Sequence, residues 1–514
     1  MNGRLTVLVI IAAVFAACAY KVERHISEPF DSPSLDADAD YLKAHMRDGG
    51  LYVLTEWGVS DADRRVMGRG TQLDYNRRVQ HTGPFDVPLD SVALFETNAV
   101  RVSSSIAPLT VMTIGTAAVG VYCATNPKAC FGSCPTFYLP GEDDRIHAEG
   151  FSSSVAPSLE DTDLDALPSV RVEHGAVRLV MRNEALETHV VRWADLIAVP
   201  LGRAARAYAL TDGSLRLGSA TLPPTTCVGP EGDCLTPIAR LDRLERTSLA
   251  DSMDLAAREW IELEFQVDRT AEGHQLGLAI GSRQSLLPTY VFYQGLAFLG
   301  TRAGEWLAAL ERGDKSTRER TVGIGRALGG IDVYATDAKG EWVLAGSLME
   351  TGPLATDVRV VVLPDGPAGD VRRVRLSLTR GMWRIDQAAL VVLEDEVRPV
   401  RLRPSLVLRA GAPDTIALAR LRSRTEQLVT LPGDAYTLVY DLPEEDSSYE
   451  LFLESRGYYL EWMRAQWLAE ENGLRAAQMF FDPAGALRSM APEYKRVEPD
   501  MERLFWSSRY AAPR

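Results

Sequence analysis

VRRVRLSLTRGMWRIDQAALVVLE (371–394) alternates charged and apolar residues, turns at Arg380-Gly381-Met382, and then runs apolar through AALVVL. Alternation followed by an apolar run, with a turn between them, is the pattern of two neighbouring strands. Similar runs precede it: WIELEFQV (260–267), IDVYAT (331–336), EWVLAGS (341–347) and TDVRVVVLP (356–364), with DAKG (337–340) as a hairpin turn. Strands at this spacing point to a β-sandwich, and 259–440 is read as one sandwich-like domain. It carries a helical insert over 284–312, and 400–440 is a linking strand region.

Working outward, 41–101 reads as a small β domain, with LYVLTEW (51–57) and VPLDSVALFE (87–96) as strands around turn glycines. A β-rich domain follows over 145–258, in which VRVEHGAVRLVMRNE (170–184) and AYALTDGSLRLGSATL (207–222) are hairpins. RLDRLERTSLADSMDLAAREW (240–260) has leucines at helical intervals and predicts a connecting helix. The aromatic-rich stretch 441–514 predicts a helical C-terminal region, with Tyr449, Leu453, Leu460 and Trp467 at helical intervals. The fold class is therefore α+β and multi-domain: β-rich N-terminal and central domains, helical C-terminus. The sequence 331–393 also resembles the galactose-binding-like jelly rolls of extracellular proteins, which implies the same sandwich class.

The N-terminus speaks to compartment. Basic Arg4 precedes LTVLVIIAAVFAA (5–17), about 20 Å long as a helix and too short for a bilayer core of about 30 Å. It has the shape of a signal peptide (1–17). Phe15-Ala16-Ala17-Cys18 resembles a bacterial lipobox, although Phe15 replaces the usual aliphatic residue. The resemblance implies cleavage before Cys18, acylation of Cys18, and a lipid bilayer as partner. Ala19, rather than aspartate, favours the outer membrane in a Gram-negative cell. Residues 18–40 add Glu28, Asp31, Asp36, Asp38 and Asp40 and read as an acidic flexible tether. The uncharged stretch 106–124, within an apolar and cysteine-rich segment 102–144, is long enough to span a bilayer. A span there conflicts with a single exported body, so a buried glycine- and alanine-rich element is expected.

An exported body changes the reading of cysteine. Cys123 and Cys130 are separated by ATNPKA, and Cys227 and Cys234 by VGPEGD, inserts rich in turn residues. Two stapled turns are the economical pairing, while cross-pairing stays open. That leaves Cys134, in FGSCPTFY, as the odd thiol: a reactive group, or a buried one with no cation nearby to activate it. Zinc sites use closer ligand pairs; only Cys130 and Cys134, with a distant His147, approach that spacing, so no metal is expected.

Net charge is −15, and no basic stripe is present, which argues against nucleic acid. HExxH, GxSxG and phosphate-loop motifs are missing, and no motif calls for a cofactor. GIGRALGG (323–330) follows charged residues rather than a strand and reads as a flexible loop. His189 with Glu184 and Glu187 could form a base–carboxylate set, or the acids could simply be exposed on a strand. Glu454 and Glu461 would share a helical face about 10 Å apart. The expectation is a cell-envelope lipoprotein that acts as a binding or scaffold component, meeting envelope proteins or carbohydrate. The alternatives are an envelope hydrolase with a site assembled from distant residues, and a subunit of a transport or secretion assembly.

Overall fold

The computed structural model describes residues 20–27, 35, 39, 42–46, 50–60, 62–74, 79–102, 134–142, 145–185, 187–202, 206–267, 273–311, 313, 315–349, 352–367, 369–443, 448–461 and 470–507. Cys18, Cys123, Cys130, Trp467, the signal segment 1–17 and the stretch 106–124 lie outside them. Among the described residues no helix is long and apolar enough to cross a membrane. The chain forms two compact units, the first centred on the sheet before residue 122 and the second on the strands after it.

The first unit contains β1 (Tyr20–Ser27), β2 (Leu42–Met46), β3 (Leu51–Ser60), β4 (Arg65–Leu73), β5 (Val79–Pro88) and β6 (Val92–Val102), in the sheet order β1-β6-β2-β3-β4-β5. Leu42, Ala44, Leu54, Val66, Val87 and Phe95 form its core. The period of two explains why: β2 alternates buried and half-buried residues along its whole length. β1 corrects the tether reading in part. Tyr20–Ser27 pairs with Phe95–Val102 along its full length, because YKVERHIS alternates well enough to close the sheet edge.

The second unit is built from β7 (Thr136–Tyr138), β8 (Ala148–Glu149), β9 (Asp161–Ala166), β10 (Ala176–Arg182), β11 (Glu187–Pro200), β12 (Arg206–Leu210), β13 (Leu215–Leu222), β14 (Thr226–Gly229), β15 (Gly232–Asp233), α1 (Leu235–Ile238), β16 (Arg258–Gln266) and β17 (Gln275–Gln284). Helices α2 (Leu287–Leu299), α3 (Ala303–Glu311) and α4 (Lys315–Leu328) follow in the chain, with Leu296–Trp306 belonging to the first unit. Then come β18 (Ile331–Thr336), β19 (Trp342–Leu348), β20 (Asp357–Val362), β21 (Val371–Thr379), β22 (Trp383–Glu396), β23 (Val400–Leu402), β24 (Leu406–Arg409), β25 (Ala412–Pro413), α5 (Thr415–Arg422), β26 (Leu428–Thr430), β27 (Ala435–Asp441) and β28 (Tyr449–Glu461). The chain ends in α6 (Gly473–Phe481) and α7 (Pro483–Ser507).

These strands make two sandwiches of the same topology. One pairs the sheet β25-β24-β27-β10-β7-β8 with β23-β11-β28-β9; the other pairs β15-β14-β16-β21-β18-β19 with β13-β22-β17-β20, where β12 closes a barrel. Each of these ten strands of the first has a counterpart in the second, with the same antiparallel neighbours; β26, which pairs with β11, and β12 have none. The chain order shows a tandem repeat whose halves are exchanged. The first repeat gives β7–β11 to one sandwich and β13–β17 to the other, and the second gives β18–β22 and then β23–β28.

Residues 222–241 and 402–421 make the relation visible. Leu222, Pro224 and Ala239-Arg240-Leu241 recur as Leu402, Pro404 and Ala419-Arg420-Leu421. Thr225 and Ser405 each donate both backbone N–H and side-chain O–H to one carbonyl, of Glu264 and Val439 respectively. The Cys234 N–H bonds the Cys227 carbonyl as the Asp414 N–H bonds that of Val407. Cys227 and Cys234 form a disulfide in this turn. In its counterpart Asp414 caps α5 by accepting from the Ala417 N–H.

The inner sheets pack against each other. Ile197, Val199 and Phe452 from one share a core with Tyr208, Ala279, Val360 and Val391 from the other. The opposite faces of β11 and β28, through Ala194, Leu196 and Leu453, join the core of the first sandwich. β11 and β22 are thus covered on both faces, which is why their sequences run apolar instead of alternating.

Several expectations fail here for physical reasons. No helix spans 240–260: the Arg246 backbone bridges Ile385 in both directions, and Asp386 accepts from the Asp242 and Arg243 N–H groups, so the segment is laid along β22. The boundary at 258/259 does not part folding units, because β14 pairs directly with β16. GIGRALGG (323–330) is not a loop: its first six residues end helix α4. Tyr449–Glu461 is strand, not helix, held by β11 on one side and β9 on the other. Among the described residues, the C-terminal helices are α6 and α7.

Candidate functional site

A cleft of about 480 Å³ opens where corresponding ends of the two sandwiches meet α2 and α4. Cys134, before β7, and Leu328 and Gly329, before β18, border it from corresponding ends of the two sandwiches; so do Glu149, at the end of β8, and Met349, just after β19. The wall is largely apolar: Phe292 and Tyr293 from α2, Tyr459 from β28, and Met382 from the β21–β22 turn. Gly325 of α4 also borders it, with nothing within 4 Å of a Cβ placed there. The Tyr459 hydroxyl is tied to the Ser152 carbonyl at 3.2 Å, and the Tyr293 hydroxyl donates to Glu461, so both rings are held in place.

Glu149 is the polar centre. It is 1% exposed. One carboxyl oxygen accepts from the Cys134 thiol at 2.8 Å and the other from the Leu354 N–H at 2.7 Å. Burial pushes its pKa up to about 7 against these two stabilising bonds. At neutral pH, acid and carboxylate are therefore comparably populated, and the group can donate to or accept from a neutral polar partner. A small cluster behind it joins the two repeats: the Ala166 N–H of β9 donates to Asp357 of β20 at 2.9 Å, and Arg359 pairs with Asp357 and Asp163. Burial raises Asp163 to about 6, against the pull of Arg359, and raises Asp165 well above the ordinary range.

The residues singled out in the sequence distribute as follows. Cys134 is buried in the cleft wall, hydrogen bonded to Glu149 rather than set beside a cation. Glu187 and His189 do pair, at 2.7 Å, but both are sealed from solvent rather than exposed. The His189 ring stands edge-on to Tyr459, 6.4 Å away, and so lies behind the cleft wall. Glu184 is buried too and accepts from Tyr138 and Thr136 instead. Glu454 and Glu461 are strand residues serving different partners, Glu454 accepting from Trp193 and Arg401. His147 is buried against Glu142 at 2.9 Å, and burial lowers its pKa. Among the described residues no group of three or more His, Cys, Asp or Glu is placed to hold a metal. Glu149, Phe292, Tyr293 and Tyr459 carry no local motif; only the topology brings them together.

No protein-family model matches the chain, and no curated protein sequence matches it. Among solved structures, BuGH86wt in complex with neoagarooctaose is 7% identical, with a TM-score of 0.18 over 45% of this chain and 34% of that one. A β-porphyranase of glycoside hydrolase family 86 from the human gut bacterium Bacteroides plebeius is 8% identical, with a TM-score of 0.16 over 46% and 37%. The chain spans little more than a third of those chains' length, and likeness at this level fixes neither fold nor activity.

Proposed function

We propose that this chain is a binding component of a bacterial cell envelope, carried on a lipid at Cys18, whose cleft takes a small, largely apolar molecule with a neutral polar group. The observation that carries this reading is the cleft itself: aromatic and methionine side chains, with Glu160, Asp161 and Arg326 also on the lining, around the buried Glu149 carboxyl with a pKa of about 7. Binding is favoured over hydrolysis because Glu149 already serves two protein donors, and the buried His189–Glu187 pair stands behind Tyr459 instead of facing the cleft.

The test uses the full chain purified in mild detergent and examined by native mass spectrometry. A bound small molecule is expected with the wild type and lost with Gly325→Trp, which sets a large ring at a cleft-bordering position where a Cβ meets nothing within 4 Å. Cys18→Ser should move the protein from membrane to soluble fractions. Wild-type protein that carries nothing, and whose thermal midpoint no member of a metabolite library raises, would defeat the binding reading. Membrane retention of Cys18→Ser would defeat the anchoring one.

A further inference from the structure

The outer face of the sheet β16-β21-β18-β19 carries rings that its own fold does not require. Trp260 of β16 is 45% exposed and Trp342 of β19 is 37% exposed. The Arg375 guanidinium of β21 lies between them, 5.3 Å from the Trp260 ring and 4.5 Å from that of Trp342. Tyr334 of β18 packs 5.5 Å from Trp260. Leu344, two residues along β19 on the same face, is also exposed. An exposed tryptophan on a sheet surface leaves a large apolar area in water, and two flanking one arginine on the same face mark a patch for which packing gives no reason.

The sister sandwich acts as an internal control. Its central pair, β10 and β27, has the same neighbours and topology, yet the position that matches Trp260 holds Ala435, and those that match Arg373, Arg375, Glu262 and Glu264 hold Arg178, Val180, Thr437 and Val439. The frame therefore forms without a tryptophan at the Trp260 position.

The charges on the face are already balanced. Arg375 donates to Glu262 at 2.9 Å and Arg373 to Glu264 at 3.0 Å. These arginines are poor sites for phosphate or a polyanion, which would have to displace a bound carboxylate. Each pair engages one carboxyl oxygen, Oε1. The second oxygen and the remaining guanidinium N–H groups point to a ligand rich in hydroxyls. Electron-rich ring faces attract weakly polarised C–H groups. Rings next to balanced hydrogen-bonding pairs suit a molecule with C–H faces and hydroxyl edges.

We infer that this face is a second binding site, separate from the cleft, for a neutral polysaccharide whose sugar rings stack on Trp260 and Trp342 and whose hydroxyls meet the Glu262–Arg375 and Glu264–Arg373 pairs. The site does not depend on the cleft being occupied, so the two readings fail separately.

Affinity gel electrophoresis of the intact protein tests it, with hydroxyethylcellulose, xyloglucan, galactomannan or laminarin cast in the gel, alginate as the polyanion, and vesicles of anionic phospholipid assayed by flotation. Retardation by at least one neutral polymer is expected. Trp260→Ala/Trp342→Ala should weaken it at least tenfold with an unchanged thermal midpoint, Trp342→Phe should keep most of it, and Gly325→Trp should leave it intact. No retardation in any neutral gel overturns the inference. So does equal retardation of the double variant, or binding confined to alginate or vesicles. Should the double variant fold poorly, Trp342→Ala alone is read against Trp342→Phe: equal retardation of the two overturns the inference, and weaker retardation of the alanine variant supports it.

Discussion

Glu149→Gln isolates one proton. The folded chain holds this carboxyl at a pKa of about 7, against an ordinary 4.5, chiefly by burying it. Between those values the folded state keeps a proton that the unfolded state has released. Stability therefore falls as pH rises from 4.5 to 7 and is level above that. At about 1.4 kcal/mol per pH unit, the loss attributable to Glu149 between pH 5 and pH 8 is about 2–3 kcal/mol. Glutamine cannot ionise and removes this dependence. It also turns an NH2 group toward one of the two donors, Cys134 or Leu354, at a cost of about 1–3 kcal/mol at every pH. The variant should thus be clearly less stable than wild type at pH 5 and close to it, or above it, at pH 8. Urea unfolding midpoints of both proteins at the two pH values, at equal ionic strength, measure the difference. A destabilisation of the same size at both would refute the assignment of the proton to Glu149.

Other consequences follow from the repeat and the cleft. Removing the Cys227–Cys234 bridge with a double serine variant should cost about 2–3 kcal/mol in urea unfolding. Cys227→Val with Cys234→Asp copies the sister turn and should recover about 1 kcal/mol of that through a new helix cap, which the same titration would show. The hydroxyls of Ser282 and Ser455 are buried and find no hydrogen-bond partner among the described residues. Alanine at either position should be neutral or stabilising by about 1 kcal/mol, and a lower melting temperature would contradict this. Gly323→Ala and Gly325→Ala, where a Cβ meets nothing within 4 Å, should each raise helix stability by about 1 kcal/mol, read as a higher midpoint.

Legibility followed exposure. The strand pattern around 331–394 was readable because β18, β19 and β21 have one face in water and keep their alternation. Tyr449–Glu461 was misread because β28 is covered on both faces, so its apolar residues lose the period of two, and the spacing of Tyr449, Leu453 and Leu460 imitates a helix. The bridge between Cys227 and Cys234 was legible in spacing and turn composition alone. The repeat left few shared letters, chiefly Pro224 and Ala239-Arg240-Leu241 with their counterparts, and helices α2–α4 inserted between its copies blur the period. The cleft had no signature because its wall comes from at least six separate segments.

Duplication within one chain separates what a frame needs from what has been added to it. Buried strands β11 and β22, the doubly donating Thr225 and Ser405, and the Ala-Arg-Leu triplets occur in both copies, so the packing of the sandwich accounts for them. Trp260, Trp342 and the carboxyl of Glu149 occur in one copy each. Where β8 ends with Glu149, its counterpart β19 ends with Leu348, which is buried without any proton to hold. A leucine is buried at no electrostatic cost, whereas burying a carboxyl opposes folding at neutral pH. The costlier residue persists where it faces a cleft, and the exposed tryptophans persist where they face solvent. In both places the sister copy does without the residue, so packing gives no reason for it, and the two proposed binding sites would supply one.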